Sequence, residues 1–268
     1  MSRSDLPQFG NPPVVEVALS IMFETLPGYR SAHAGLFWQR IRDRYPVTED
    51  VPELPPTIEE PGGPAVPPRL EFMERPRIRT WFHSSDKTQL LQLQNNRFAY
   101  NWKKGAGDHH YPSYDEVERR FRETLPVFEE FVAKEGLGRI EVTQAELTYV
   151  NHIREPHSAV DRVFNFFRHA STKGFLPAPE DVVHYAARYP IIETSKELRG
   201  RLTVELQPGY LTADRAEVLN LNMIARGRPL SPDVDGAFRF LKIGHEWIVR
   251  GFTELTTAEM HAKWDRKQ

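Results

Sequence analysis

The chain reads as an α+β protein built on one large antiparallel sheet with helices packed on a single face. Three observations predict this. Strands alternate apolar and hydrogen-bonding residues with a period of two, which marks sheets buried on one side only: Leu202, Val204 and Leu206 alternate with Arg201, Thr203, Glu205 and Gln207. Leu219, Leu221, Met223 and Ala225 do the same with Asn220, Asn222 and Arg226, as do Phe98, Tyr100 and Trp102 with Asn101 and Lys103. The elements run strand, helix, strands, helix, strand, without the βαβ alternation of a parallel sheet. Finally, the C-terminal half loosely repeats this order, as expected of two duplicated hairpin-plus-helix halves, residues 1–155 and 156–268.

After Pro12-Pro13, Val15, Val17, Leu19, Ile21 and Phe23 share one face of a first strand, opposite Glu16, Ala18, Ser20 and Met22. Past the Pro27-Gly28 turn, Leu36, Phe37, Ile41 and Tyr45 fall at helical spacing, and Pro46 stops the helix. Residues 46–76 hold nine of the chain's 22 prolines. The segment is too proline-rich for helix and too irregular for sheet, and its apolar Leu54, Ile58 and Leu70 predict a strap over the surface rather than a mobile insertion.

Three strands follow, Thr80 to His83, Gln89 to Gln94 and Phe98 to Lys103, the last two joined by an Asn95-Asn96 hairpin turn. Ser113 and Glu116 form a capping box ahead of a stripe of Val117, Phe121, Leu125, Phe128 and Val132, a helix that Pro126 should kink or split. The strand from Ile140 to Val150 changes apolar parity near Thr143, which predicts a bulge or a strand buried on both faces. A helix over 159–168, two strands and a long helix carrying Val234, Phe238, Leu241, Ile248 and Phe252 complete the second half. Thr256 and Glu259 read as a second capping box with a Leu255–Met260 staple, and Met260 and Trp264 pin the last helix to the body.

Composition narrows the function. No apolar run approaches the ~20 residues of a membrane span, and Met1 to Asn11 lacks the apolar region of a signal peptide. With no cysteine there are no disulfides or thiolate sites, which fits a reducing compartment, and cytoplasm is the expected location. A net charge of -2 provides no global field for nucleic acid; the arginines at 30, 40, 42 and 44 read as a solvated basic helix face.

The blocks Asn11-Pro-Pro-Val-Val-Glu-Val17, Leu91-Gln-Leu-Gln-Asn-Asn-Arg-Phe98 with Asn101-Trp102-Lys103, and His245 to Thr257 with Trp264 occur here in one order. As a set they resemble an uncharacterised family of prokaryotic proteins of about this length, found sporadically among bacteria. The resemblance spans nearly the whole chain. It implies no activity and no catalytic residues, and patchy occurrence is typical of genes on mobile or defence islands.

Motifs for chemistry are weak. Asp108-His109-His110 follows Gly105-Ala106-Gly107 and reads as a polar turn rather than a metal site, and His152 stands at a strand end without companions. His245-Glu246 lacks the second histidine of a zincin, since position 249 is Val249, so His245 reads as a core histidine. Ser84, Ser85 and Ser195 have no evident base, and no phosphate loop is present. Arg250 reads as the charge that ends the long helix or as an anion contact, and Glu16, Glu146 and Glu205 could gather around a divalent cation if their strands adjoin.

The expectation is therefore a non-enzymatic binding or regulatory protein with a protein partner and no cofactor, acting through a polar sheet face made of Arg201, Glu205, Asn220, Asn222, Arg226, Asn101 and Lys103, with Arg250 as a further contact. The alternative is an enzyme or a nucleotide- or anion-binding protein using the same face.

Overall fold

A computed structural model describes residues 6–55, 59, 78–105, 110–166, 182–192 and 197–267. Strands β1 (Val14–Phe23), β2 (Val47–Pro52), β3 (Ile78–His83), β4 (Gln89–Gln94), β5 (Arg97–Lys103), β6 (Val142–Ile153), β7 (Tyr185–Ile192), β8 (Leu198–Tyr210) and β9 (Glu217–Gly227) form one sheet in the order β2-β3-β4-β5-β1-β6-β9-β8-β7. Every neighbouring pair is antiparallel. The helices are α1 (Ala32–Ile41), α2 (Tyr114–Lys134), α3 (Val160–Val163), α4 (Val234–Leu255) and α5 (Ala258–Lys263). Among the described residues no helix is long and apolar enough to cross a membrane.

The sheet repeats a topology about its middle. In the first repeat β5 returns beside β1, and β4 and β3 lie outside it; the second repeat opens with β6, ahead of the expected boundary at 155/156, and β9 returns beside β6, with β8 and β7 outside. A long helix, α2 or α4, follows each returning strand. β1 and β6 pair at the centre, so the two halves share one sheet and one core.

The apolar strand residues face the helices. Phe98 stacks on Phe128 of α2 at 4.4 Å, and Phe37 of α1 sets its ring against Phe82, Phe98 and Phe128. α4 comes close to the sheet at Gly244, where a Cβ would stand 2.9 Å from that of Ala225. The parity change in β6 is a bulge: Met22 opposes Gln144 and Phe23 opposes Val142, leaving Thr143 as the extra residue. The Asn95-Asn96 turn joins β4 to β5, with Gln94 opposite Arg97.

Several local expectations are corrected. α2 runs unsplit through Pro126, because the carbonyl of Arg122 that loses its donor lies on the exposed side of the helix where water can serve it. Residues 47–52 of the proline-rich segment are not irregular: they form β2, an edge strand whose Pro52 comes last, where a missing N–H does little harm. β7, with Pro190, is the opposite edge and was not foreseen. The helix expected over 159–168 is a 3-10 turn at His157–Ala159 and the single turn α3; Phe164 is already extended and bridges Thr256. The cap of α5 is Thr257, whose hydroxyl accepts from the Met260 amide, because the Thr256 hydroxyl donates to the Phe252 carbonyl and closes α4.

The C-terminal helix is docked. Trp264 packs on Phe252 at 5.0 Å and on Phe9 at 6.4 Å, and the Gly10 and Asn11 amides bond to the Asp265 and Trp264 carbonyls. The Lys267 amide returns a bond to the Gln8 carbonyl. With the indole 5% exposed, Trp264→Ala should cost about 3–4 kcal/mol in urea unfolding. An unchanged midpoint would mean that the aromatic cluster does not hold the terminus.

Candidate functional site

Period-two alternation gives the sheet a second face, and the strand register decides which polar residues meet on it. Across β8 and β9, Arg201 opposes Arg226 and Glu205 opposes Asn222, while Gln207 opposes Asn220. Arg226 also opposes Glu146 of β6. Five predicted site residues, Arg201, Glu205, Asn220, Asn222 and Arg226, thus share one patch. Asn101 and Lys103 lie on the same face but on β5, beyond β6 and β1. Arg250 does not join them. It projects from α4 on the helix-covered side, bonds Glu246 at 2.9 Å, and stands more than a turn before the end of its helix at Leu255, so it caps nothing.

Two hydrogen-bonded chains organise the face. In the first half, Arg79 and the Trp81 indole donate to Gln92 Oε1 at 2.8 and 3.0 Å; Gln92 Nε2 then donates to Asn101 Oδ1 at 2.7 Å, and Asn101 Nδ2 to Glu16. Because guanidinium and indole can only donate, they fix the orientation of both carboxamides and direct the chain toward the Glu16 carboxylate, where Lys103 stands 4.0 Å away. Lys103 also lies over the Trp81 ring at 5.0 Å.

The second chain crosses the centre. Arg97 of β5 reaches Glu146 of β6 at 3.3 Å, and Arg226 of β9 bonds the other oxygen of the same carboxylate. Arg226 then lies 3.7 Å from Glu59, whose second oxygen takes a 2.6 Å bond from Arg201. Burial pushes the Glu146 carboxyl up, but the guanidiniums of Arg226 and Arg97 prevail and hold it below the ordinary glutamate range. Burial also lowers Arg97, an effect that Glu146 opposes.

Part of this face is covered, which corrects the expectation of an open platform. Gln94 makes a two-way contact with the backbone of Leu54, accepting from its amide and donating to its carbonyl, both at 3.2 Å. Gln144 accepts from the Glu59 amide at 3.5 Å. The proline-rich segment thus meets polar rather than apolar surface at Leu54 and Glu59; Ile58 and Leu70 lie outside the described residues. Gln92, Gln94, Arg97 and Asn101 are buried, whereas Arg201, Glu205, Asn220 and Asn222 are only half-buried. The side-chain oxygens of Asn220 and Asn222 are shielded from solvent, yet find no hydrogen-bond partner among the described residues.

Other candidates fall away for physical reasons. Glu16, Glu146 and Glu205 do not gather: Glu16 and Glu205 stand three strand spacings apart, about 14 Å, and Glu146 is clasped by arginines. Among the described residues no group of three or more histidines and carboxylates is placed to hold a metal ion. The Ser84 hydroxyl donates to Asp86 at 2.6 Å within a turn that Asp86 closes onto Thr88. Arg40 is paired with Glu130 and Glu135, and Arg44 with Glu123, so α2 carboxylates offset the basic stretch. His152 shares the polar face and is held below the ordinary histidine range by burial and by Arg154. Asp108, His109 and Ser195 lie outside the described residues.

Arg97 and Glu59 were missed as site residues. Arg97 had a signal in the strand parity that puts it beside Gln94 on the polar face; Glu59 had none, being one of several acids among prolines. Comparison with known proteins finds neither a matching family model nor a matching curated protein.

Since its folded carboxyl is lowered, Glu146 contributes stability that is present above the ordinary glutamate pKa and is lost as pH falls through the folded value. Glu146→Gln should cost about 3–5 kcal/mol at pH 7 by leaving Arg97 without its counter-charge and Arg226 with Glu59 alone. It should also flatten the decline of stability as pH falls below about 5, the upper edge of the ordinary glutamate range. Urea unfolding against pH with parallel slopes for the two proteins would contradict this.

Proposed function

We propose that this is a non-enzymatic binding protein that holds an extended, acidic segment of a protein partner across the polar face of β8 and β9. The observation that carries the reading is the molecule's own use of that face. A Gln carboxamide pairs with both backbone groups of Leu54, and two arginines take the carboxylate of Glu59. Side-chain amides here stand in for a strand neighbour, and arginine supplies the charge selectivity for carboxylate.

Asn220 and Asn222 stand further along β9 on the same face, and their shielded oxygens, without a hydrogen-bond partner among the described residues, are the kind of acceptor that a backbone N–H would satisfy. Arg201 and Arg226 border the same patch. A catalytic reading of the face has less support. Glu146 is held ionised between guanidiniums, whereas a general acid needs a carboxyl raised toward neutrality. On the family resemblance, the partner would be encoded in the same mobile or defence-associated gene system.

Glu205→Ala combined with Asn222→Ala should leave stability within about 1 kcal/mol of the parent, since neither side chain carries a fold-wide contact. Peptides selected from a displayed random library on the parent protein should be rich in Asp and Glu, and Asn220→Ala combined with Asn222→Ala, which leaves every charge of the face in place, should lose them. Selected peptides that bind both proteins alike would move the binding surface elsewhere, and an unfolded variant would mean that the patch is a structural core.

A further inference from the structure

On the opposite, helix-covered side of the sheet, a cavity of about 700 Å³ opens between the N-terminal segment, the start of α2, and α4. That volume is in the range of small-molecule sites. Its floor carries a hydrogen-bonded run of polar groups: the Tyr149 hydroxyl lies 2.8 Å from that of Tyr111 and 3.1 Å from His245 Nδ1. Tyr149 is buried, and burial raises both phenols above the ordinary tyrosine range, so both hydroxyls stay protonated at neutral pH. The imidazole is not the plain core histidine expected from its place on the apolar stripe. It lines the cavity, with the Tyr114 ring stacked flat on it at 4.1 Å and 6°.

The walls are aromatic or aliphatic, Phe9 and Tyr111 coming from outside α4 and Ile248, Val249 and Phe252 from α4. Among the described residues, Lys242 and Arg250 border the space against Asp115 and Glu246, two charges of each sign, with Arg250 already bonded to Glu246. An anion would meet as much repulsion as attraction there. Flat apolar walls, a donor–acceptor floor and balanced charge together select the ligand.

We infer that this cavity binds a small, uncharged heteroaromatic molecule, its ring against the aromatic wall and its heteroatom on the Tyr111–Tyr149–His245 floor. The test is ligand-observed saturation-transfer NMR at pH 7.5 with indole, quinoline and benzimidazole, and with their carboxylate derivatives as charged controls. At least one neutral probe should bind the parent protein more tightly than its carboxylate. Val249→Trp, which fills the cavity from a half-exposed helix position, should abolish that binding. Tyr149→Phe should weaken it at least about fivefold, the loss of one neutral hydrogen bond. The Glu205→Ala, Asn222→Ala double variant, altered on the other face, should bind as the parent does. Circular dichroism checks that each variant is folded; should Val249→Trp unfold, Tyr149→Phe decides. Failure of all three neutral probes, equal binding by Val249→Trp or by Tyr149→Phe, or preference for the carboxylates would overturn the inference.

Discussion

The pairing of β1 with β6 is the constraint on which the rest depends. It runs from Val14 opposite Asn151 to Phe23 opposite Val142, lies at the middle of the sheet, and is the seam through which the two halves share a core. One side of the pair is covered by α2 and α4, and the other by side chains that bridge over it. That bridge requires β1 to be low on the polar side. Ser20, opposite Glu146, supplies this; Arg97 of β5, opposite Met22 and bonded to its sulfur at 3.2 Å, crosses β1, a reach of two strand spacings or about 10 Å, to meet Glu146 of β6. A longer side chain at Ser20 would stand in that path and separate the two halves of the polar face.

The buried charges on that face are better understood as specifying an arrangement than as stabilising it. Desolvation offsets most of what a buried ion pair gains, while removing one member is costly. The Arg97, Glu146, Arg226, Glu59, Arg201 chain spans β5, β6, β9 and β8, so it fixes the lateral register of strands far apart in sequence. It also gives the sheet a way to hold carboxylates offered by a chain lying across it. Recognition of a partner and attachment of the protein's own Glu59 are, on this account, the same chemistry used twice.

The fold was largely legible because period-two alternation is a local signal. β1, β5, β8 and β9 announce their faces in five or six residues each, and the parity slip at Thr143 located a bulge without any knowledge of the partner strand. Local signals failed where tertiary context decided. β2 looked irregular because prolines mask an edge strand, α2 tolerated Pro126 because it faces water, and Thr256 was drawn into closing α4 rather than opening α5. The site was legible in part. Sharing a face follows from parity, so Arg201, Glu205, Asn220, Asn222 and Arg226 were found together; contact across 142 residues does not, so Glu59 was not. Arg250 was misplaced because its helix runs on to Leu255. The cavity behind His245 was missed since its walls come from three separate segments, each of which alone reads as core.

The most direct test of the account is a double-mutant cycle between Glu59 and Arg201, with Glu59→Ala, Arg201→Ala and the combination measured by urea unfolding. A carboxylate held in a buried arginine site should give a coupling energy of at least about 1.5 kcal/mol. Additive effects, with coupling near zero, would contradict the claim that this face grips acidic chain laid across it.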